Sequence, residues 1–252
     1  MLMAGKIAVV TGGGGMLGSA IGQRLAREGA TVILVDMVLE KAQNTAQMIT
    51  GEGGSASAWQ CDVTRADEVQ RLMETLHHRY GQIDALINNA GIMPHQDHSV
   101  LDMDEAVWQQ IYDVNVHGLA LCCKFALPAM PDGSAVLNMS SFVAYMGCSN
   151  PQEAYGASKG AIIAVTRSLA VQCGPRNIRV NALCPGPILT PHVERFFPTE
   201  EDKAIRLARI PLGRFGKPED VASAVAFLVS DQSSWMTGQA LLLDGGISIN
   251  YF

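Results

Sequence analysis

Apolar residues follow two alternating rhythms along this chain. Short aliphatic and β-branched runs recur at 6–11 (KIAVVT), 31–36 (TVILVD), 55–61 (SASAWQC), 83–88 (IDALIN), 134–140 (SAVLNMS), 178–184 (IRVNALC) and 240–246 (ALLLDGG). Most lack a polar face, which predicts strands buried on both sides. Between them the apolar spacing lengthens to three and four residues, as for Val69, Leu72, Met73 and Leu76, and predicts helices over about 17–28, 38–50, 66–79, 104–129, 153–172 and 219–229. Gly29 and the GEGG at 51–54 end the first two. Repeated strand–helix alternation is the pattern of βαβ units, so the expected fold is α/β: a Rossmann-like, doubly wound, seven-stranded parallel sheet with helices on both faces. The stretch at about 186–217, broken by Pro and Gly into short helical pieces, is expected to form a substrate loop or lid. No linker or tandem repeat divides the chain, which reads as one domain over 1–252.

Charge narrows the partners. The 24 acidic residues outnumber the 18 basic ones, and the Lys and Arg are scattered, so no positive stripe is available to track a nucleic-acid backbone. No run reaches the 18 apolar residues of a membrane span, and MLMAGKIAVVTGGGG reads as a first strand rather than a signal peptide. A soluble, cytoplasmic protein is expected. The six cysteines show no CxxC pair and read as small buried hydrophobes. Neither His77 with His78 nor His95 with His98 has a third ligand in register, so no metal is expected.

Chemistry first enters at TGGGGMLG, residues 11–18, between the first strand and the first helix. Glycines there allow a tight turn and close approach to a pyrophosphate, and the helix N-terminus supplies N–H groups and partial positive charge. Asp36 ends the second strand, 18 residues after Gly18. A carboxylate so placed accepts from both adenine-ribose hydroxyls of NAD and repels the 2′-phosphate of NADP. Residues 11–23 contain no Arg or Lys, and Met37 follows Asp36. NAD is therefore the expected cofactor, and an NADPH-dependent carbonyl or 3-oxoacyl reductase is the alternative.

TGGGGMLG at 11–18, CDVT at 61–64, NNAG at 88–91, VNV at 114–116, SS at 140–141, YGASK at 155–159 and PGPILTP at 185–191 occur in one order over nearly the whole chain. Together they resemble the short-chain dehydrogenase/reductase family in its classical form. That resemblance implies interconversion of a secondary alcohol and a ketone by hydride transfer, with a polyol, a cyclic alcohol or a hydroxysteroid-like molecule as substrate. It also implies a homo-oligomer, a tetramer by the family pattern. Asn115, Ser141, Tyr155 and Lys159 match the family's catalytic positions. Gly12, Gly15, Met16, Leu17, Gly18, Asn89, Ala90, Gly91, Pro185 and Gly186 would line the cofactor, Asp62 and Val63 would lie near adenine, and Ile188 and Thr190 near the carboxamide. One position departs from the pattern: Met16 stands where the family has its middle glycine.

The residue chemistry runs parallel to the resemblance. Tyr155 can take or give the alcohol proton, and Lys159, four residues on, lies on the same face of a helix, where its ammonium is expected to lower the phenol pKa. Ser141, at a strand end, would hold the substrate oxygen, with Ser140 in support; the resemblance implies that Asn115 supports Lys159 through a water. The family plan brings Met93, His95, Phe142, Cys148, Asn150, His192, Phe196 and Phe197 toward the substrate. A non-catalytic NAD-binding sensor or scaffold is the rival of another class, and it would be expected to have lost Tyr155 or Lys159.

Overall fold

The computed structural model describes residues 1–148, 150–194 and 199–250, with Pro191 and His192 described in their backbone alone. Its centre is one seven-stranded parallel sheet in the order β3-β2-β1-β4-β5-β6-β7. The strands are β1 (Ile7–Thr11), β2 (Thr31–Asp36), β3 (Ser55–Gln60), β4 (Ala85–Asn88), β5 (Ala135–Met139), β6 (Arg179–Pro185) and β7 (Ala240–Leu243). All seven expected strands are present, and the doubly wound architecture is the expected one. The strand at 240–246 is shorter than its sequence run, because Gly245 and Gly246 take positive φ and turn the chain out of the sheet.

Alternation within each strand sends successive side chains to opposite faces. Val10, Leu34, Ile87 and Leu137 join one core cluster, and Val9, Ile33, Leu86 and Val136 the other. In-register pairing of Val9 with Ile33 and with Leu86 keeps each set on its own face. Helices α1 (Met16–Arg27), α2 (Leu39–Gly51) and α9 (Pro218–Val229) contribute to the first cluster. Helices α3 (Ala66–Tyr80), α5 (Leu119–Ala126) and α6 (Glu153–Cys173) contribute to the second. This double burial is why the central strands read as uninterrupted apolar runs.

The helix expected over 104–129 is composite. α4 (Glu105–Tyr112) passes into a wider π-helical turn over Asp113–Gly118 before α5 begins. Between β6 and α9 lie two short helices, α7 (Pro191–Glu194) and α8 (Glu200–Ala208). Five cysteines are buried, as expected, but Cys148 is exposed in the loop after β5. Among the described residues no helix is long and apolar enough to cross a membrane, and no group of three or more His, Cys, Asp or Glu could hold a metal ion.

Candidate active site

The chain winds outward from β1 to β3 and then returns across β1 to β4, so the connections leaving β1 and β4 diverge at their carboxyl ends. A cleft opens at such a switch point. Here it comprises two cavities of about 560 and 710 Å³ that share Gly91, Ile92 and Gln110.

The smaller cavity lies beside the glycine turn. Gly12 has φ +63°, and a Cβ on Gly18 would stand 2.1 Å from the Gly12 carbonyl oxygen, so backbone packs on backbone with no room for side chains. α1 begins at Met16, one residue ahead of expectation, with Gly15 extended before it and neither a side-chain cap nor an acidic residue in its first turn. Its N-terminal N–H groups are thus available to an anion, and the cradle fits the pyrophosphate of a dinucleotide. Met16, which departs from the family pattern, has an exposed side chain.

Asp36 accepts hydrogen bonds from the Gly14 N–H at 3.0 Å and the Val38 N–H at 3.0 Å, which ties the strand end to the glycine turn. It lines the smaller cavity with Gly12, Asp62, Val63 and Ala90. The carboxylate of Asp62 is itself engaged by the Thr64 N–H and hydroxyl at 2.9 and 2.8 Å. Asp113 is the third acid on this wall, and no Lys or Arg is among the described residues lining it.

At the other end, Leu17, Asn89, Ser140, Ser141, Tyr155 and Lys159 line the larger cavity, and Pro185, Gly186, Ile188 and Thr190 complete it from the end of β6. Asn89 clamps the turn by donating to the Thr11 and Gly12 carbonyls at 3.0 and 3.2 Å. Lys159 is buried and donates to the Met139 carbonyl at 2.9 Å. Ser140 points into the same helix, donating to the Lys159 carbonyl at 2.8 Å. Asn115 sits in the π-helical turn; its side chain accepts from the Ile92 N–H at 2.8 Å and donates to the Ile92 carbonyl and the Ser158 hydroxyl at 3.0 and 3.1 Å. A Cβ on Gly91 would stand 3.3 Å from Asn115 Oδ1 and 3.5 Å from Lys159 Nζ, so both polar groups close on one glycine.

Burial acts on both titrating groups of the pair. It pushes the Tyr155 phenol up to about 12, with the neighbouring Ser141 hydroxyl pulling it part of the way back. It pushes the Lys159 ammonium down to about 8, with the Cys184 thiol opposing. The expectation that Lys159 lowers the phenol is therefore corrected for this structure. Lys159 Nζ stands 5.4 Å from the Tyr155 ring centroid, and desolvation outweighs that distant charge. At neutral pH the phenol holds its proton.

Of the residues proposed for the substrate side, Met93, Phe142, Cys148 and Asn150 line a third hollow of about 130 Å³ that also contains Ser141 and Tyr155. His95 is exposed and lines none of these cavities. The His192 side chain, Phe196 and Phe197 lie outside the described residues.

Sequence reasoning passed over Asp97. Its buried carboxylate accepts from the Ala154 N–H at 3.1 Å and the Tyr155 N–H at 2.8 Å. Gln152, the local cap residue of α6, makes no side-chain cap hydrogen bond, and Asp97 from the loop after β4 caps the helix that carries Tyr155 and Lys159. An acid between two loop histidines carries no local mark of such a role.

A glycine cradle, an acid at the end of β2 and a Ser–Tyr–Lys group in the continuing cleft define a nicotinamide-dinucleotide oxidoreductase. Residues 15–248 match the family model described as Enoyl-(Acyl carrier protein) reductase. The chain is 38% identical over 252 residues to the 3-oxoacyl-[acyl-carrier-protein] reductase FabG of Thermotoga maritima, covering 99% of this chain and 100% of that protein. It is 38% identical over 249 residues to 2-(S)-hydroxypropyl-CoM dehydrogenase 3 of Xanthobacter autotrophicus, covering 96% of each. A short-chain dehydrogenase/reductase structure from Serratia marcescens superposes with a TM-score of 0.92 at 30% identity, covering 98% of this chain and 100% of that one. The chain belongs to the short-chain dehydrogenase/reductase family, oxidoreductases that bind a nicotinamide cofactor and act on alcohols and ketones.

Proposed function

We propose that this protein interconverts a secondary alcohol and its ketone with NAD(H), Tyr155 exchanging the proton. The observation that carries the reading is the convergence of Ser141, Tyr155 and Lys159 on one cavity that continues to Asp36. The bound nicotinamide would supply or accept the hydride. Gly12, Gly15, Met16, Leu17 and Gly18 would hold its pyrophosphate, Asp36 its adenine ribose, and Asp62 and Val63 its adenine. Asn89, Ala90, Gly91, Pro185, Gly186, Ile188 and Thr190 would complete the binding surface. Ser141 orients the substrate oxygen toward Tyr155. Lys159, kept in place by Met139 and flanked by Asn115, adds positive potential where the phenolate would form. The phenol, proton-loaded at neutral pH, is ready to donate to a carbonyl oxygen.

NAD rather than NADP is supported by the smaller cavity's lining, which among the described residues includes Asp36, Asp62 and Asp113 and neither Lys nor Arg, so a 2′-phosphate would face like charge. A 3-oxoacyl reductase using NADPH is the second reading, favoured by the likeness to the Thermotoga maritima reductase. Self-association, as a tetramer, belongs to the same proposal. The fully exposed Trp235, with Val171 at 80% exposure, offers apolar surface for it. A single species near 27 kDa in light scattering would remove it. The segment at 186–217 would serve as the lid, and the cytoplasm is the proposed compartment.

The deciding experiment assays secondary alcohols, polyols, cyclic diols, hydroxysteroids and a 3-oxoacyl thioester with each cofactor, followed by nicotinamide absorbance. Turnover of an alcohol–ketone pair with NAD preferred supports the proposal. Efficient use of NADPH on the thioester alone selects the second reading, and binding of NAD with no turnover of any substrate selects a sensor.

A further inference from the structure

The hollow of about 130 Å³ adjoins the catalytic cavity through Met93, Ser141, Tyr155, Gly186 and Val193. Phe142, Val143 and Pro187 add apolar wall. Arg206 borders the hollow too and is itself engaged within the fold. Apart from Ser141 and Tyr155, the neutral hydrogen-bonding side chains among the described lining residues are the weak thiol of Cys148 and the amides of Asn150 and Gln152.

Gln152 stands apart from the other two. Cys148 and Asn150 are exposed, whereas Gln152 is partly buried. It immediately precedes α6, and its carbonyl accepts from the Gly156 N–H at 2.9 Å, which fixes it to the turn that carries Tyr155. Three residues apart at the start of one helix, Gln152 and Tyr155 share a face, and both line the hollow. A polar residue in this place ordinarily spends its side chain on the free N–H groups of the helix. Here the Asp97 carboxylate takes the Ala154 and Tyr155 N–H groups, and the Gln152 amide makes no cap hydrogen bond. No described residue hydrogen-bonds that amide. An alkyl group laid against it would expel solvent and leave it unpaired, at a cost that a second oxygen on the substrate removes.

We infer that the substrate is a small diol and its oxidised form a hydroxyketone: a second, unreacting hydroxyl lies within one or two carbons of the reacting carbon, and Gln152 binds it as a specificity-determining residue. This rests on the reading of Tyr155 as the acid/base. A hydroxyl both donates and accepts, so it answers either end of the amide, whereas a carbonyl answers only the NH₂ end and an anion gains no opposite charge from it. Side chains three apart on a helix start about 5–6 Å apart, and a hollow of this size holds the equivalent of roughly four waters. The two oxygens are therefore close neighbours on a short skeleton.

The test pairs each hydroxyketone with a ketone of the same shape in which methyl replaces hydroxyl: 3-hydroxy-2-butanone with 3-methyl-2-butanone, and 4-hydroxy-2-butanone with 2-pentanone. Reduction is followed with whichever reduced nicotinamide the protein accepts. At one spacing or both, the hydroxyketone is expected to exceed its partner in kcat/KM by about tenfold or more. Gln152→Met keeps the side chain's length and removes its hydrogen bonding, and should bring that ratio toward one. Gln152→Glu still accepts from a hydroxyl and should keep part of it. Equal use of both members of each pair by the wild type, or a ratio that survives Gln152→Met, overturns the inference while leaving the alcohol–ketone reading intact. Calorimetric titration of 2,3-butanediol and 1,3-butanediol into cofactor-loaded protein separates the opposite case. A diol that binds the wild type, fails to bind Gln152→Met and is never oxidised upholds the hydroxyl site and sinks the role of Tyr155. Neither binding nor turnover of any of these compounds refutes the inference.

Discussion

The two ends of the cleft are built by different means. Beside Asp36 the cradle is a backbone turn of glycines, joined to the Asp36 carboxylate by the Gly14 N–H. Around Tyr155 the wall is side chains from separate stretches, fastened by Asp97 to Tyr155 across 58 residues, Asn115 to Ile92 across 23 and Lys159 to Met139 across 20. A backbone cradle presents N–H groups whatever the neighbouring side chains are, which suits recognition of a constant ligand. The other end sets a proton donor's position and pKa, and these depend on distant packing. Changes under Asp36 are therefore expected to appear in cofactor KM, and changes around Tyr155 in kcat.

The contrast is sharpest at Tyr155. Tyr155→Phe keeps the ring and removes the proton, so turnover should fall by about a hundredfold or more while NAD affinity, read by fluorescence titration, stays near that of the wild type. Retention of more than roughly a tenth of the rate would assign the proton to another group. At the opposite end, Asp36→Ala should erase most of a roughly hundredfold preference for NAD over NADP, through KM for NAD. A wild type that uses NADP as well as NAD would remove the carboxylate's role.

Asp97→Asn comes next. The amide keeps one acceptor oxygen but cannot answer both the Ala154 and Tyr155 N–H groups, so Tyr155 loses part of its hold. A fall of about tenfold in kcat is expected with cofactor KM little changed, and Asp97→Ala should cost about 1–2 kcal/mol of stability as well. Loss of stability without any change in kcat would make Asp97 a structural cap alone.

The smallest effect concerns stability. Lys159 titrates at about 8 in the folded protein against an ordinary 10.5. Below pH 8 both states carry the charge and the desolvation penalty is complete. Between about 8 and 10.5 the folded state sheds its proton first, so this group adds stability as pH rises. Lys159→Met should therefore raise the cofactor-free unfolding free energy at pH 7 by about 1 kcal/mol once loss of the bond to Met139 is counted, read as a higher melting midpoint, and the gain should shrink toward pH 10. Above pH 10 the raised Tyr155 phenol acts with the opposite sign, because the unfolded chain ionises first. A gain independent of pH would show that burial of the ammonium is not its source.

Much of this molecule is written locally in the chain. Seven strands, their alternation with helices, the glycine turn and the acid after β2 were legible because each depends on side-chain period, backbone freedom at glycine or neighbours within a few residues. Tyr155 and Lys159 were legible as a pair because a helix brings residues four apart together. Three features were decided by tertiary structure alone. Asp97 caps a helix that begins more than fifty residues later, and nothing near it in sequence distinguishes it from a solvated loop acid. Gln152 lines the hollow beside Tyr155 without a capping bond, while that distant acid holds the helix N–H groups. The phenol's direction of shift was read wrongly from sequence, since the i+4 lysine is visible in the chain while the desolvation that outweighs it exists only after distant segments have closed around the ring. Short-range geometry is encoded residue by residue, whereas burial and its electrostatic cost are properties of the assembled fold.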